Sequence, residues 1–283
     1  MFNANLIPAM VTPFTPEGSL DLPATANLAT YLVKNGCDGL LVNGTTGESP
    51  TTSLDEKIQL IQTVKQATSG KSIPIMAGIG TNNTEKTVAD AKAIAAIGVD
   101  ALLVVVPYYS KPSQNGMVEH FSQVAKMVDT DIVIYNIPSR TGMLMAPETM
   151  LKLHTAYPNI IGVKQSHPDM DEVSTITNTL PQDTWTTWSG DDSLTLPMMA
   201  CGASGVISVA AHLTAPTLRK MIDAFNQGEL KTAREYHLKQ LTLFKELFVL
   251  PNPTVVKTCL AKLGLMDLTC LLYTSDAADD DRS

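Results

Sequence analysis

Short apolar runs rich in β-branched residues alternate along the chain with longer stretches in which apolar residues recur every three or four positions. The short runs are typical of parallel strands buried on both faces, and the longer stretches of amphipathic helices. The pattern predicts strands at residues 5–11, 38–43, 73–79, 101–106, 131–135, 160–164, 184–188 and 205–209. It predicts helices between them at residues 22–34, 53–68, 84–97, 116–128, 147–154, 170–178 and 193–201.

Eight strand–helix units in succession favour a (β/α)8 TIM barrel, whose active site lies at the carboxyl ends of the strands. An open dinucleotide-binding sheet is disfavoured, because the nearest glycine-rich turn, Gly78-Ile79-Gly80, follows the third strand and not the first. Three more helices are predicted at residues 214–226, 230–249 and 254–263. We therefore divide the chain into a catalytic barrel at residues 1–226, a small C-terminal helical region at 227–268 and a tail at 269–283.

The tail carries no apolar period and ends in the acidic, polar sequence Asp279-Asp280-Asp281-Arg282-Ser283. Such a composition is typical of a disordered segment. The tail also resembles a translated adapter sequence more than native protein, so we exclude it from the prediction of the fold.

Charge and composition exclude several classes of function. The formal net charge of −8 argues against nucleic-acid binding, which requires a basic face. No apolar run approaches the roughly 18 residues of a membrane span, and residues 1–10 lack the basic start of a secretion signal, so a cytoplasmic protein is expected. The four cysteines and five histidines have no metal-ligand spacing, which predicts free thiols and no metal site.

Lys164 is the most informative residue, because it ends the apolar run Ile160-Ile161-Gly162-Val163. An ammonium group at the end of a buried strand needs either a partner or a function, since burying it alone is costly. Partial burial lowers the pKa of a lysine and leaves some of it as the free amine that attacks carbonyl groups. The alternative is a lysine that extends to solvent at the barrel rim.

Hydroxyl groups and one strong cation follow the other predicted strands: Thr45, Thr46, Tyr109, Tyr135 and Arg140. Together with a lysine they suit amine catalysis on a keto acid, in which hydroxyls bind the carboxylate and relay protons. The arginine can bind a second carboxylate with two hydrogen bonds. No carboxylate pair suits glycoside hydrolysis and no side-chain set suits a metal.

Each of these positions also has an ordinary structural interpretation. Gly44-Thr45-Thr46-Gly47 could be a simple tight turn, and Tyr108-Tyr109 a packing or interface pair. Arg140 could form a surface salt bridge. Asp191-Asp192 is better explained as a helix N-cap than as a metal site.

The chain resembles the dihydrodipicolinate synthase family, a member of the class I pyruvate-dependent aldolase group that includes N-acetylneuraminate lyase. The resemblance covers residues 5–266 and is carried by five motifs: Gly44-Thr45-Thr46-Gly47-Glu48, Pro107-Tyr108-Tyr109, Tyr135-Asn136-Ile137-Pro138-Ser139-Arg140-Thr141-Gly142, Gly162-Val163-Lys164 and Ser189-Gly190-Asp191. It implies a lyase that condenses pyruvate with L-aspartate 4-semialdehyde in the diaminopimelate route to lysine. It also implies a homotetramer or homodimer, and no cofactor beyond a covalent lysine imine.

The resemblance implies a role for each matching residue. Lys164 matches the lysine that forms the Schiff base, and Tyr135 the hydroxyl above the imine. Thr45 and Tyr109 match its proton relay, with Tyr109 reaching in from a neighbouring subunit. Thr46 and Arg140 match the groups that bind the carboxylates of pyruvate and of the semialdehyde. Gly190 and Ile207 match backbone positions that line the pocket.

Two other functions are weighed against this one. A lyase or dehydratase of the same group could act on a sugar-derived keto acid, although Arg140 favours the synthase. A barrel that had lost catalysis would usually have lost the lysine, a tyrosine or the arginine, and all of these are present.

Three departures from the family pattern give further expectations. Gln165 stands where an acidic residue is common, which could change the field at the amine without abolishing activity. The positions matching the lysine-feedback site are Leu54, Lys57 and Lys86, and two cations repel an ammonium ligand, so feedback inhibition by lysine should be weak or absent. The family's last helix has no counterpart in the tail, which predicts a lower thermal stability than in full-length relatives.

Overall fold

Eight parallel strands form a barrel in the computed structural model, which describes residues 2–271. The strands are β1 (Leu6–Pro8), β2 (Leu40–Val42), β3 (Ile75–Gly78), β4 (Ala101–Val105), β5 (Asp131–Asn136), β6 (Ile160–Gln165), β7 (Thr186–Ser189) and β8 (Gly205–Ser208). They are hydrogen-bonded in the order β1-β8-β7-β6-β5-β4-β3-β2. A parallel bridge between Ala9 and Leu41 joins β1 to β2 and closes the ring, so the predicted (β/α)8 barrel is confirmed.

The helices lie around the barrel and then continue past it. They are α1 (Leu22–Lys34), α2 (Leu54–Thr68), α3 (Thr84–Ala95), α4 (Gln114–Ala125), α5 (Pro138–Thr141), α6 (Pro147–Ala156), α7 (Met170–Thr179), α8 (Thr195–Ala200), α9 (Ala211–Asn226), α10 (Leu230–Glu246) and α11 (Thr254–Lys262). None of the helices within residues 2–271 is long and apolar enough to cross a membrane.

Most helix boundaries differ from the sequence prediction by one to three residues, and two helices, α9 and α5, show a further difference. Helix α9 begins at Ala211, three residues before the predicted start, and Pro216 lies inside it. The backbone of Thr214 leaves the helical region there, at φ −136° and ψ 22°, and this kink accommodates the proline. Helix α5 was not predicted; it is a single turn that directly follows β5 and ends at Gly142, whose φ is +74°.

The strands bury both faces because successive residues point alternately into the barrel and out toward the helices. On β2, Leu41 belongs to the interior cluster of the barrel. Its neighbours Leu40 and Val42 belong to the outer core between strands and helices. This division explains why the strands are continuous apolar runs in the sequence and not alternating ones.

The C-terminal region packs back onto the barrel. Helix α10 lies against α9, and the chain after α11 returns so that the Thr269 carbonyl and the Leu271 N–H contact buried side chains near β2. Residues 272–283 of the predicted tail lie outside the described residues. The proposed boundaries at 226 and 268 and the lower thermal stability stay predictions.

Candidate active site

Lys164 and Tyr135 are direct neighbours on the paired strands β6 and β5. The Lys164 Nζ atom lies 4.2 Å from the centroid of the Tyr135 ring, and the two residues are only 6% and 7% exposed. A lysine that extended to solvent at the rim would be far more exposed. The amine is therefore held inside the mouth of the barrel against an aromatic face.

Gly190 follows β7 and passes close to the lysine side chain. Its N–H donates to the Gln165 carbonyl at 2.8 Å. A Cβ atom at this position would lie 3.1 Å from both Cγ and Cε of Lys164 and 1.8 Å from the Ser166 Oγ atom. A larger residue would therefore require the Ser166 hydroxyl to move and would press on the Lys164 side chain. Ile207, on β8, is buried in the interior cluster that also contains Tyr135.

The segment after β2 folds into two consecutive turns, in which the Gly47 N–H donates to the Gly44 carbonyl and the Glu48 N–H to the Thr45 carbonyl, both at 3.0 Å. The interpretation as a tight turn is thus right for the backbone. The turn also positions the two threonines differently. Thr45 is half-buried at the cavity, whereas Thr46 is buried.

A cavity of about 630 Å³ opens at the carboxyl ends of β2 to β5. Among the predicted site residues, Thr45, Tyr109, Tyr135 and Arg140 line it. The other four, Lys164, Thr46, Gly190 and Ile207, are not part of its lining. The structure thus brings the predicted residues to one end of the barrel but divides them between the cavity wall and the layer beneath it.

The charged residues in the lining of this cavity are all cations: Lys57, Lys86 and Arg140. No aspartate or glutamate of the described chain belongs to the lining. Such a cavity attracts negatively charged molecules.

Tyr109 and Arg140 lie at the rim. Tyr109 is 89% exposed and its backbone adopts the left-handed conformation, at φ +67°. An exposed non-glycine residue in that conformation is uncommon and is often found at functional positions. Arg140 is exposed on the single turn of α5, and its guanidinium makes no ion pair within residues 2–271. The surface salt-bridge interpretation of Arg140 thus finds no partner in this part of the chain.

The two aspartates after β7 have separate structural tasks. Asp191 caps the following 3-10 turn by accepting from the Ser193 N–H at 2.8 Å, so the N-cap interpretation is confirmed. Asp192 is buried and accepts from the Ser208 hydroxyl at 2.5 Å and from the Val209 and Ala210 N–H groups at 3.1 and 2.9 Å. Burial raises the pKa of Asp192 to about 6, against the opposing effect of these hydrogen bonds.

These contacts tie the loop that contains Gly190 to the end of β8.

No group of three or more histidine, cysteine, aspartate or glutamate side chains in the described chain could hold a metal ion.

Gln165 is fully buried and lies on the opposite side of β6 from Lys164, because successive strand residues alternate. Its Oε1 atom accepts from the Asn136 Nδ2 group at 3.0 Å. Asn136 in turn bonds the backbone of Met145 through both ends of its amide. An amide at position 165 therefore belongs to a polar network that holds the segment after β5.

Two residues that contact the turn after β2, Asn252 and Lys257, were missed by the sequence analysis. The Asn252 Nδ2 group donates to the Thr46 Oγ atom at 2.9 Å. The Lys257 Nζ group donates to the Glu48 Oε1 atom at 2.5 Å, and both side chains are fully buried. Burial lowers the pKa of Lys257, and the Glu48 carboxylate opposes that shift. The sequence signal at Asn252-Pro253 indicated only a helix start.

The fold and these side chains define a class: a (β/α)8-barrel protein with a buried lysine and a cation-lined cavity at the carboxyl ends of its strands. Comparison with known proteins narrows the class. The chain belongs to the dihydrodipicolinate synthetase family, whose family model matches residues 3–282.

Individual relatives agree with this membership. A 4-hydroxy-tetrahydrodipicolinate synthase of Thermosynechococcus vestitus is 46% identical over 92% of this chain and 87% of its own length. The 4-hydroxy-tetrahydrodipicolinate synthase of Bacillus subtilis is 41% identical over 92% of this chain and 89% of its own length. The crystal structure of dihydrodipicolinate synthase from Aquifex aeolicus superposes with a TM-score of 0.94 at 42% identity, covering 99% of this chain and 94% of that one.

Proposed function

We propose that the chain is a 4-hydroxy-tetrahydrodipicolinate synthase, a lyase of the hydro-lyase class that condenses pyruvate with L-aspartate 4-semialdehyde through a lysine imine. The observation that carries the proposal is the pair of Lys164 and Tyr135, with the buried amine 4.2 Å from the ring of the tyrosine. Lys164 is buried and forms no salt bridge among residues 2–271, and such a lysine at the end of a barrel strand is suited to nucleophilic attack on a ketone. The names of the relatives at 41–46% identity support the same reaction.

In the first step the neutral Lys164 amine attacks the ketone carbon of pyruvate. The amine loses its protons to the relay, the ketone oxygen leaves as water, and a C=N bond replaces the C=O bond. Tyr135, Thr45 and Tyr109 are assigned the proton transfers. Tyrosine hydroxyls have pKa values near 10, so a chain of hydroxyls is needed to deliver a proton efficiently. Thr46 is assigned the binding of the pyruvate carboxylate.

In the second step a proton leaves the pyruvate methyl group, and the resulting enamine carbon attacks the aldehyde carbon of the semialdehyde. Arg140 is assigned the carboxylate of this second substrate, because a guanidinium binds a carboxylate through two parallel hydrogen bonds. The amino group of the adduct then displaces Lys164 from the imine carbon, which closes the ring and frees the lysine. No cofactor is required, because the imine itself accepts the electrons of the C–H bond that breaks at the pyruvate methyl group.

The position of Tyr109 supports a homo-oligomer. Its ring is 89% exposed, so within one chain it does not pack against Lys164. We infer that Tyr109 completes the site of a neighbouring copy in a dimer or tetramer.

A biosynthetic enzyme acting on small soluble acids also fits a cytoplasmic location.

The test is reduction with borohydride in the presence of pyruvate, followed by intact mass and peptide mapping. The expected result is one pyruvyl adduct on Lys164, lost in Lys164→Ala and retained in the exposed control Lys152→Ala. Absence of the adduct in the unmodified enzyme would refute the imine mechanism. Adduct formation without consumption of aspartate semialdehyde, but with consumption of a sugar-derived aldehyde, would replace the proposed second substrate.

A further inference from the structure

The segment that carries Arg140 is closed at its base by one side chain. We call residues 137–145 the Arg140 loop; it contains α5 and follows Asn136, the last residue of β5. The Asn136 Oδ1 atom accepts from the Met145 N–H at 3.0 Å, and the Asn136 Nδ2 group donates to the Met145 carbonyl at 3.2 Å. A single amide therefore joins the two ends of the loop, which are nine positions apart.

The backbone of this loop sets the position of Arg140. Ile137, Arg140 and Thr141 all line the cavity. The Arg140 guanidinium makes no ion pair within residues 2–271, so no acidic side chain in that range directs it. The Thr141 hydroxyl lies 3.0 Å from the Ile137 carbonyl and 2.9 Å from the Met143 carbonyl, and these contacts shape the loop from within.

Two side chains outside the loop connect it to the rest of the barrel. On the outer side, the Gln114 Nε2 group of α4 donates to the Leu144 carbonyl at 2.8 Å. On the inner side the connection is made through Asn136, and Gln165 supports it from the neighbouring strand. The Gln165 Oε1 atom accepts from the Asn136 Nδ2 group at 3.0 Å.

The pair of Asn136 and Gln165 is a fixed unit. The two residues lie opposite each other on β5 and β6, and both are fully buried. An amide has two N–H donors and one oxygen, and the Asn136 amide uses the oxygen and the nitrogen on Met145 and the nitrogen again on Gln165. The bond to Gln165 therefore fixes the orientation in which Asn136 holds the loop.

The chemistry at position 165 indicates what the residue supplies. The buried Gln165 Nε2 group has no hydrogen-bond partner among the described residues. A buried N–H group without a partner is unfavourable, and a methionine would fill a similar space without that cost. The useful part of the side chain is therefore its acceptor, the Oε1 atom, and the group that uses it is the Asn136 amide.

We propose that Gln165 is a positioning residue for the second substrate: through the Asn136 amide it fixes the base of the Arg140 loop, and with it the place where Arg140 binds a carboxylate. The inference rests on the proposed function, because it concerns how the enzyme recognises an aldehyde that carries a carboxylate. Gln165 itself touches neither substrate. Because it lies on the opposite side of β6 from Lys164, loss of its acceptor should spare imine formation and weaken recognition of the semialdehyde.

The experiment compares the two substrates in Gln165→Met, which keeps the approximate volume of the side chain and removes the acceptor. KM for L-aspartate 4-semialdehyde should rise at least about threefold, because one buried hydrogen bond is lost. KM for pyruvate and borohydride trapping with pyruvate should not change. Gln165→Glu keeps an acceptor oxygen at the same reach and should restore KM for the semialdehyde.

Gln240→Met is the matched control. Gln240 is also a buried glutamine, and its Oε1 atom accepts from the Thr214 hydroxyl at 2.8 Å, but it lies on α10. This variant loses the same kind of bond outside the Arg140 loop. It should lower Tm and leave both KM values unchanged.

A double-mutant cycle with Arg140→Ala separates positioning of Arg140 from a general loosening of the site. If Gln165 acts through Arg140, adding Gln165→Met to Arg140→Ala should raise KM for the semialdehyde no further. A full additional rise in the double variant would overturn the proposal. If Gln165→Met does not fold, Gln165→Asn, which withdraws the amide by one methylene group, takes its place in both comparisons.

Other outcomes distinguish this inference from the proposed function. Normal trapping with an unchanged KM for the semialdehyde in the Gln165 variant would overturn the inference alone. Equal losses for both substrates would also overturn it, since Gln165 would then act on the whole end of β6. Absence of trapping in the unmodified enzyme would refute the proposed function and this inference with it.

Discussion

The buried pair of Glu48 and Lys257 should be a large contributor to stability, and Lys257→Met tests it. The Lys257 Nζ group contacts the Glu48 carboxylate at 2.5 Å and the Thr269 carbonyl at 2.6 Å, and lies 4.6 Å from the Phe14 ring centroid. Both charged side chains are fully buried. Methionine keeps the length of the side chain but removes the ammonium group from the Glu48 carboxylate, which also accepts from the Leu271 N–H at 2.8 Å.

Removing one partner of a buried ion pair costs about 3–5 kcal/mol. In a chain of this size each kcal/mol corresponds to about 2–4 °C, so Tm should fall by roughly 6–20 °C. Differential scanning calorimetry measures this fall, with the exposed Lys262→Met on α11 as control. The double variant Lys257→Met/Glu48→Gln should recover part of the loss, because the buried carboxylate is then removed together with the buried ammonium group. A single variant within about 2 °C of the unmodified protein, or a double variant less stable than the single one, would refute the reasoning.

Four further predictions concern the site. Asn252→Leu removes the donor to Thr46, a neutral hydrogen bond worth about 0.5–1.5 kcal/mol, so KM for pyruvate should rise by about 2–12-fold in steady-state assays; an unchanged KM would contradict it. Gly190→Ala places a Cβ atom 3.1 Å from Cγ and Cε of Lys164 and should reduce borohydride trapping at least about tenfold by shifting the amine; trapping equal to that of the unmodified protein would contradict it. Gly70→Ala is the control: its added Cβ atom has no neighbour within 4 Å, so this variant should be trapped by borohydride as efficiently as the unmodified protein. The pKa of Asp192 rises from 3.8 unfolded to about 6 folded, so this carboxyl stabilises the fold below pH 4 and the contribution is lost as the pH rises through 6. The free energy of unfolding of Asp192→Asn, relative to that of the unmodified protein, should therefore rise between pH 4 and pH 6 by on the order of 2–3 kcal/mol in denaturant titrations. A difference that does not change with pH would contradict this. L-lysine should not inhibit, because Lys57 and Lys86 line the cavity as cations, and a sub-millimolar inhibition constant would show otherwise.

The sequence predicts the barrel because the strands, buried on both faces, leave runs such as Ile160–Val163 that no surface element would contain. Given the barrel, the ends of the strands single out Lys164, Tyr135 and Thr45 as candidate site residues, since the fold brings these ends together. Local signals also succeed: the helix predicted from residue 53 begins there, where Ser53 and Glu56 form a capping box at the start of α2. Such features depend on residues close in sequence or on a repeated architecture.

Contacts between distant segments could not be predicted in the same way. Asn252 and Thr46 are 206 positions apart, and Lys257 and Glu48 are 209 apart. Neither pair belongs to a repeated pattern, and a lysine inside the helical stretch 254–263 is consistent with an exposed face until packing shows otherwise. The burial of Lys57 is similar, because it depends on how α2 packs against the wall of the cavity.

The dependence of the β2 turn on the last helix also bears on the order in which the protein becomes functional during synthesis. All eight strands have been made once residue 208 leaves the ribosome, and the barrel can then begin to close. At that stage the contacts from Lys257 to Glu48 and from Asn252 to Thr46 cannot form, because Asn252 and Lys257 have not yet been translated. A nascent chain could therefore hold a nearly complete barrel in which the threonine turn is still unsettled. We therefore expect assembly of the active site to follow folding of the barrel, because the contacts from Asn252, from α11 and from residues 269–271 to the turn form last.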